Sequence, residues 1–226
     1  LAIFGQVGIG LGENLKLEVS GRYSEEDKTA RQAVDLFGGV GYGATEGLPI
    51  SNPAELGFWG VAVLEATPHS NDLKRSESHF SPNVNLNRSV NDDTNLYIAY
   101  SKGFKGGGFN AFAMTADPAE AEYDEEEATS YEIGGKFILA DGAATLNAAI
   151  FDTDYDNMQT TQFTGGTTFV VANAAQATSQ GIELDLTWLV SDDWTIYSTF
   201  GYIDFEFVSY PDAGCTALQI QESGLN

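Results

Sequence analysis

The sequence predicts an all-β fold of antiparallel, up-and-down strands, and three observations carry that prediction. Apolar and polar residues alternate with period two in one segment after another. Tight polar turns and long connections alternate along the chain, and several of the alternating segments reach the nine to eleven residues with which a tilted strand crosses a bilayer.

Eight strands are expected, at about 1–9, 14–23, 78–89, 94–105, 127–139, 143–157, 168–190 and 194–208. In the second, Leu15, Leu17, Val19, Gly21 and Tyr23 oppose Lys16, Glu18, Ser20 and Arg22. The third sets Phe80, Pro82, Val84 and Leu86 against Ser81, Asn83, Asn85 and Asn87, and the fifth sets Tyr131, Ile133, Gly135, Phe137 and Leu139 against Glu132, Gly134, Lys136 and Ile138. In the sixth, Leu146, Ala148 and Ile150 share a face with Asp152 and Asp154, so that face changes character along its length. The seventh sets Ile182, Leu184, Leu186 and Trp188 against Glu183, Asp185 and Thr187. In the eighth the apolar register switches near Tyr202 and Ile203, the mark of a bulge or of a strand leaving its buried zone.

The short connections "GLGEN" (10–14), "NDD" (91–93), "ADG" (140–142) and "SDD" (191–193) suit hairpins. The long ones run over about 24–77, 106–125, 159–167 and everything after 210. Short turns at one end and long loops at the other form the pattern of an outer-membrane β-barrel. Lipid leaves unpaired backbone groups unsatisfied, so a spanning sheet must close on itself, and loops can grow only where they meet water. Tyr23, Phe80, Tyr100, Phe104, Tyr131, Trp188, Trp194 and Tyr202 fall near strand ends, where interfacial aromatic girdles belong.

Composition narrows the function. The chain has 226 residues, with 33 acidic against 10 basic ones and a formal charge of −23, which excludes a nucleic-acid partner because phosphate contacts need Lys and Arg. Lys136 is the last basic residue. Cys215 is the single cysteine, so no internal disulfide forms. No apolar run approaches the roughly 20 residues of a spanning helix, and "LAIFGQVGIG" lacks the basic start of a signal peptide.

Several segments together are similar to one family. "NLYIAYSKGFKGGGFN" resembles the tyrosine-rich strand and loop entry of TonB-dependent outer-membrane receptor barrels. "EEEATSYEIGGKF", "ATLNAAIFDTDYDNMQ" and "NAAQATSQGIELDLTW" follow in that family's order, and "LKLEVSGRYSEEDK" and "HFSPNVNL" match upstream. The resemblance covers most of the chain apart from the 24–77 connection and the tail. It implies that residues 1–226 hold about eight strands of a larger, 22-stranded barrel, without the plug that such barrels enclose. It also implies energised uptake of a scarce nutrient such as a ferric siderophore, haem, a vitamin or a carbohydrate. The implied partners are outer-membrane lipid and lipopolysaccharide, the small-molecule ligand, and the TonB complex acting through the missing plug; the implied location is the bacterial outer membrane. Two other architectures remain open: a self-contained eight-stranded outer-membrane barrel, and a soluble secreted β-sandwich that binds carbohydrate.

Particular residues follow from these readings. Phe104, Asn110, Phe112, Tyr155 and Gln159 are candidates for ligand contact at the loops and lumen. Lys16, Glu18, Arg22, Glu132, Lys136, Glu183 and Asp185 should face the lumen, because a charge on the lipid side costs about 2–4 kcal/mol at the midplane. Pairing between neighbouring charges on that wall is expected. Gly106–Gly108 mark a sharp turn or a close approach by a neighbour. The acidic run "DPAEAEYDEEE" (117–127) reads by default as a solvated loop, or else as an attractor of cations or a bridge to lipopolysaccharide phosphates. No cofactor, catalytic group or metal site is assigned: His69 and His79 are the only histidines, no Ser-His-Asp geometry is fixed, and "GGVGYG" (38–43) lacks the Lys of a phosphate loop.

Overall fold

The structure, a computed structural model, describes residues 1–34, 36–38, 48–50, 69–111, 113, 117–165 and 168–211. Most of the 38–43 glycine segment, Phe112 and Cys215 lie outside the described residues. Twelve strands are described: β1 (Ala2–Gly10), β2 (Leu15–Val34), β3 (Leu36–Gly38), β4 (Leu48–Ile50), β5 (His69–Asn91), β6 (Thr94–Lys105), β7 (Gly108–Phe109), β8 (Glu122–Tyr123), β9 (Glu126–Leu139), β10 (Ala144–Gly165), β11 (Thr168–Ser191) and β12 (Trp194–Ser209). Eight of them form one antiparallel sheet in the order β1-β2-β5-β6-β9-β10-β11-β12, while β3–β4 and β7–β8 are short ribbons in the long connections. Each sheet neighbour is the next long strand in the chain, as an up-and-down meander requires.

The order also removes two alternatives. Strands β1 and β12 each pair on one side only among the described residues, so the sheet is not a closed eight-stranded ring. Among the described residues no second sheet stacks on the first, Trp188 is 41 % exposed, and the buried apolar residues are limited to Leu73 and a few alanines. A β-sandwich would bury its inner faces against each other.

Pairing partners in a ladder share a face, so register shows how the two faces are composed. One row crosses all eight strands: Ile9, Leu17, Leu86, Ile98, Ile133, Ile150, Ile182 and Tyr202. Ile98, Ile133 and Ile150 on that row are 55 %, 61 % and 61 % exposed. Water would make such a surface unstable, whereas hydrocarbon suits it. The adjacent row turns from Val7, Val19 and Val84 into the Tyr100–Tyr131 ring pair and then Asp152, Gln180 and Asp204. Toward the hairpin turns, Trp188 stands opposite Ala144 and Ile196. From Ala144 to Asp152 the strand runs roughly 27 Å, close to the ~25 Å apolar band of outer-membrane barrels.

Three expectations require correction. The 24–77 connection is strand at both of its ends: β2 and β5 stay in register from Ser24↔His79 to Val34↔His69. Likewise, β10 and β11 pair out to Gly165↔Thr168, so 159–167 is mostly hairpin arm. These arms lie beyond the apolar rows, where neither face must be greasy, and an extending ladder needs no alternation to continue. The expected bulge at Tyr202 and Ile203 is absent, because pairing runs unbroken through Ile182↔Tyr202 and Gly181↔Ile203. The register instead shifts in β10 between Tyr155 and Met158, where Asn157 takes a left-handed φ of 57°.

Candidate functional site

The face opposite the apolar row is polar along its length. One row reads Gly8, Glu18, Asn85, Ala99, Glu132, Phe151, Gly181 and Ile203; the next toward the turns reads Gly10, Lys16, Asn87, Tyr97, Gly134, Ala149, Glu183 and Gly201. Period-two alternation fixes this segregation, because each residue of a strand takes the face opposite its neighbour. Lys16 Nζ meets Glu18 at 2.7 Å, and Asn87 donates to Glu18 at 3.3 Å and to Asn85 at 2.7 Å. The Tyr97 ring lies over Gly134, where a Cβ would come 2.5 Å from the ring's Cζ, and its hydroxyl donates to Glu132 at 2.5 Å.

All seven expected lumen charges fall on this polar face by register. Glu132, Lys136, Glu183 and Asp185 line a shared cavity of about 460 Å³ with Tyr97 and Asn147. The expected Glu132–Lys136 pairing is not formed. Glu132 accepts the Tyr97 hydroxyl hydrogen bond instead, and among the described residues Lys136 has no carboxylate within ion-pair distance. Asp185 accepts from Thr199 at 2.9 Å.

Beyond the aromatic rows, the 106–125 connection folds back over the polar face and docks there. Its anchor is Glu77, three residues beyond the Tyr23↔Phe80 pair and therefore outside the membrane span, with its side chain 3 % exposed. Glu77 accepts from the Gly107 N–H at 2.9 Å, from Lys28 at 3.2 Å and from Arg75. Lys28 also donates to the Gly107 carbonyl at 2.6 Å, and Arg75 reaches Asp124 at 2.9 Å and Glu125 at 2.8 Å. Burial alone would raise the Glu77 carboxyl, but the Arg75, Gly107 and Lys28 hydrogen bonds outweigh it and hold it below its ordinary value. Burial likewise opposes the charge on Lys28, and its bonds to Glu26 and Glu77 reverse that effect and raise it.

This docking explains the glycines of "KGGGF". A Cβ at Gly106 would lie 2.7 Å from Lys28 Nζ, one at Gly107 would lie 2.7 Å from Arg75 Cζ and against the Tyr123 carbonyl, and one at Gly108 would lie 2.5 Å from the Tyr123 hydroxyl. None of the three needs a positive φ. Close approach by charged neighbours is therefore the reason for them, and not a sharp turn.

Two of the candidate ligand residues, Asn110 and Gln159, belong to or bind the same arm. Asn110 is 7 % exposed and brackets Val171, accepting its N–H at 2.7 Å and donating to its carbonyl at 2.9 Å. Gln159 Nε2 donates to the carbonyls of Gly106 at 3.0 Å and Asp124 at 2.9 Å, so it ties the two ends of the connection together. The β10 bulge helps: Asn157 donates to the Glu125 carbonyl at 2.7 Å. Phe104 stacks on His79 with centroids 3.7 Å apart. Tyr155 shares the polar face with Phe207 across Ala177, and its ring lies 6.4 Å from that of Phe205.

Sequence reasoning missed Lys28, Arg75 and Glu77, which it placed in a loop. It also read residues 117–127 as solvated, whereas Asp124 and Glu125 meet Arg75, Glu126 stands 3.8 Å from Lys105, and Glu127 stands 2.9 Å from Lys102. The partners come from remote or facing strands, which local composition does not reveal.

An antiparallel sheet with one apolar, solvent-incompatible face, the charges on the other, and the Tyr100–Tyr131 pair and Trp188 toward its two limits defines an outer-membrane β-barrel wall. Residues 1–220 match the family model described as TonB dependent receptor-like, beta-barrel, and the chain belongs to that family. It is accordingly a protein of the bacterial outer membrane. Among solved structures it is similar to the ferric yersiniabactin uptake receptor FyuA of Yersinia pestis, with 19 % identity, a TM-score of 0.65, and coverage of 91 % of this chain and 26 % of that one. It is also similar to the siderophore receptor PiuA of Acinetobacter baumannii, at 19 % identity and a TM-score of 0.63 over 97 % of this chain and 28 % of that one. The ferric-catecholate import receptor Fiu of E. coli K12 matches at 18 % identity and a TM-score of 0.63, over 93 % and 28 % of the two chains. The chain thus spans little more than a quarter of the length of these structures.

Proposed function

We propose that these eight strands are part of the wall of a larger barrel, in a receptor that captures a scarce nutrient at the cell surface and imports it when energised by the TonB complex. The two unpaired sheet edges, β1 and β12, are the positions where further strands would continue the wall. The polar face would line the lumen, the apolar face would meet lipid and lipopolysaccharide, and a plug outside these strands would transmit the TonB pull. A ferric siderophore is the cargo favoured by the kinds of receptor to which the fold is similar. No bond of the cargo is made or broken on this wall, so the reading is of a transporter and not an enzyme.

The observation that supports this reading best is the 106–125 connection docked through Gly107 on Glu77 of the polar face, with the Phe104 ring stacked on His79 and the Tyr155 ring near Phe205 beside it. Of the candidate ligand residues, Tyr155 with its Phe205 and Phe207 neighbours offers open aromatic surface, whereas Asn110 and Gln159 already hold backbone groups. The test is uptake of a radiolabelled ferric siderophore panel by cells carrying the intact receptor, with and without TonB. Uptake of at least one member that disappears without TonB is expected; no TonB-dependent uptake of any member would overturn the siderophore reading.

A further inference from the structure

His79 Nε2 is buried and has no hydrogen-bond partner, although the ring is fixed by the stack on Phe104. An unsatisfied buried imidazole nitrogen is a cost that native structures rarely leave without cause. The atoms nearest in kind are carboxylates: one oxygen each of Glu77 and Glu125 lies with one ring nitrogen of His79 in a group whose members are all within 4.8 Å of one another.

The surrounding charge is unbalanced in the same direction. Among the described residues, Glu26, Glu77, Asp124 and Glu125 make their ion pairs with two cations, Lys28 and Arg75, and Arg22 lines the pocket beside His79 together with Glu25 and Glu26. Glu77 Oε2 accepts from Lys28 alone, and Glu125 bonds Arg75 through one oxygen, which leaves lone pairs on both carboxylates. An excess of carboxylates over cations, with free lone pairs beside a histidine whose Nε2 has no partner, matches what a divalent ion needs.

We propose that Glu77, His79 and Glu125 form a binding site for a first-row transition-metal dication such as Zn²⁺. One imidazole nitrogen with two carboxylate oxygens is a donor set for zinc and its neighbours, whereas calcium and magnesium favour oxygen donors alone. Bonds of about 2.0–2.2 Å would draw the three donors closer together. Because Glu77 and His79 belong to β5 and Glu125 ends the docked connection, the ion would fasten that arm to the wall. The inference rests on the docked arm and not on the cargo proposed above.

The experiment is calorimetric titration of Zn²⁺ into the intact receptor in detergent at pH 7.5, with Co²⁺ absorption as a second reading. Wild type should bind one equivalent more than His79→Gln, and Glu125→Gln should weaken that equivalent at least tenfold. His69→Gln should leave it unchanged. Co²⁺ bound to wild type should show the visible bands of a nitrogen- and oxygen-ligated site, lost in His79→Gln. Equal Zn²⁺ binding by wild type and both site variants overturns the site, as an adventitious ion only. If His79→Gln loses the heat-modifiable band of a folded barrel, Glu125→Gln and the wild-type Co²⁺ spectrum decide, and a wild type without those bands also overturns it.

Discussion

The Glu77 carboxylate accepts the Gly107 backbone N–H across 2.9 Å and thirty residues of sequence. That bond joins the wall to the glycine segment of the returning arm. A carboxylate with its side chain 3 % exposed survives there only because Arg75 and Lys28 compensate its charge.

Glu77 therefore makes the arm sensitive to acid. Its folded pKa lies below the ordinary 4.5, so its contribution is complete above about pH 4.5 and is lost as pH falls through the depressed value. Hydrogen exchange in residues 106–125 should accelerate only in that acidic window. Glu77→Gln should show fast exchange already at pH 7, since breaking a buried pair costs roughly 3–5 kcal/mol. Unchanged exchange in that variant would contradict the anchor role.

Gly107 has no room for a methyl group. Gly107→Ala places its Cβ against the Arg75 guanidinium and the Tyr123 backbone carbonyl, which cannot both retreat. Overpacking of this kind costs about 1–3 kcal/mol. Limited proteolysis should cut the 106–125 connection faster in this variant while the barrel remains folded.

Asn110 holds both backbone groups of Val171. Asn110→Ala removes both hydrogen bonds to the half-buried Val171 backbone, each contributing about 0.5–1.5 kcal/mol. Asn110→Asp keeps the acceptor and loses the donor, so its exchange protection at Val171 should fall between those of wild type and the alanine variant.

Leu184 lies midway between the Trp188 row and the Gln180 row on the apolar face, and Asp185 lies on the other. Leu184→Arg puts a charge near the bilayer midplane and should destabilise assembly by about 2–4 kcal/mol. Asp185→Asn should assemble as wild type does, losing only part of its contact with Thr199. Equal folding of both variants into phospholipid vesicles, followed by heat-modifiable gel mobility, would reverse the assigned facing.

The alternation of Leu15 with Lys16 or Leu184 with Asp185 was enough to mark the long strands and the residues that share a face, because period two maps sequence directly onto the two sides of a sheet. Turns such as "NDD" marked the hairpin end by their own local chemistry. The sequence by itself determined the membrane-spanning part of the sheet for that reason. What only the tertiary structure decided lies beyond the aromatic rows. There Lys28, Arg75 and Glu77 meet Gly107, Asp124 and Glu125 from positions up to 79 apart in sequence (Lys28 to Gly107). With water on both faces of the arms no hydrophobic period is imposed, so the contacts follow from charge and close fit between remote strands, which no local pattern encodes.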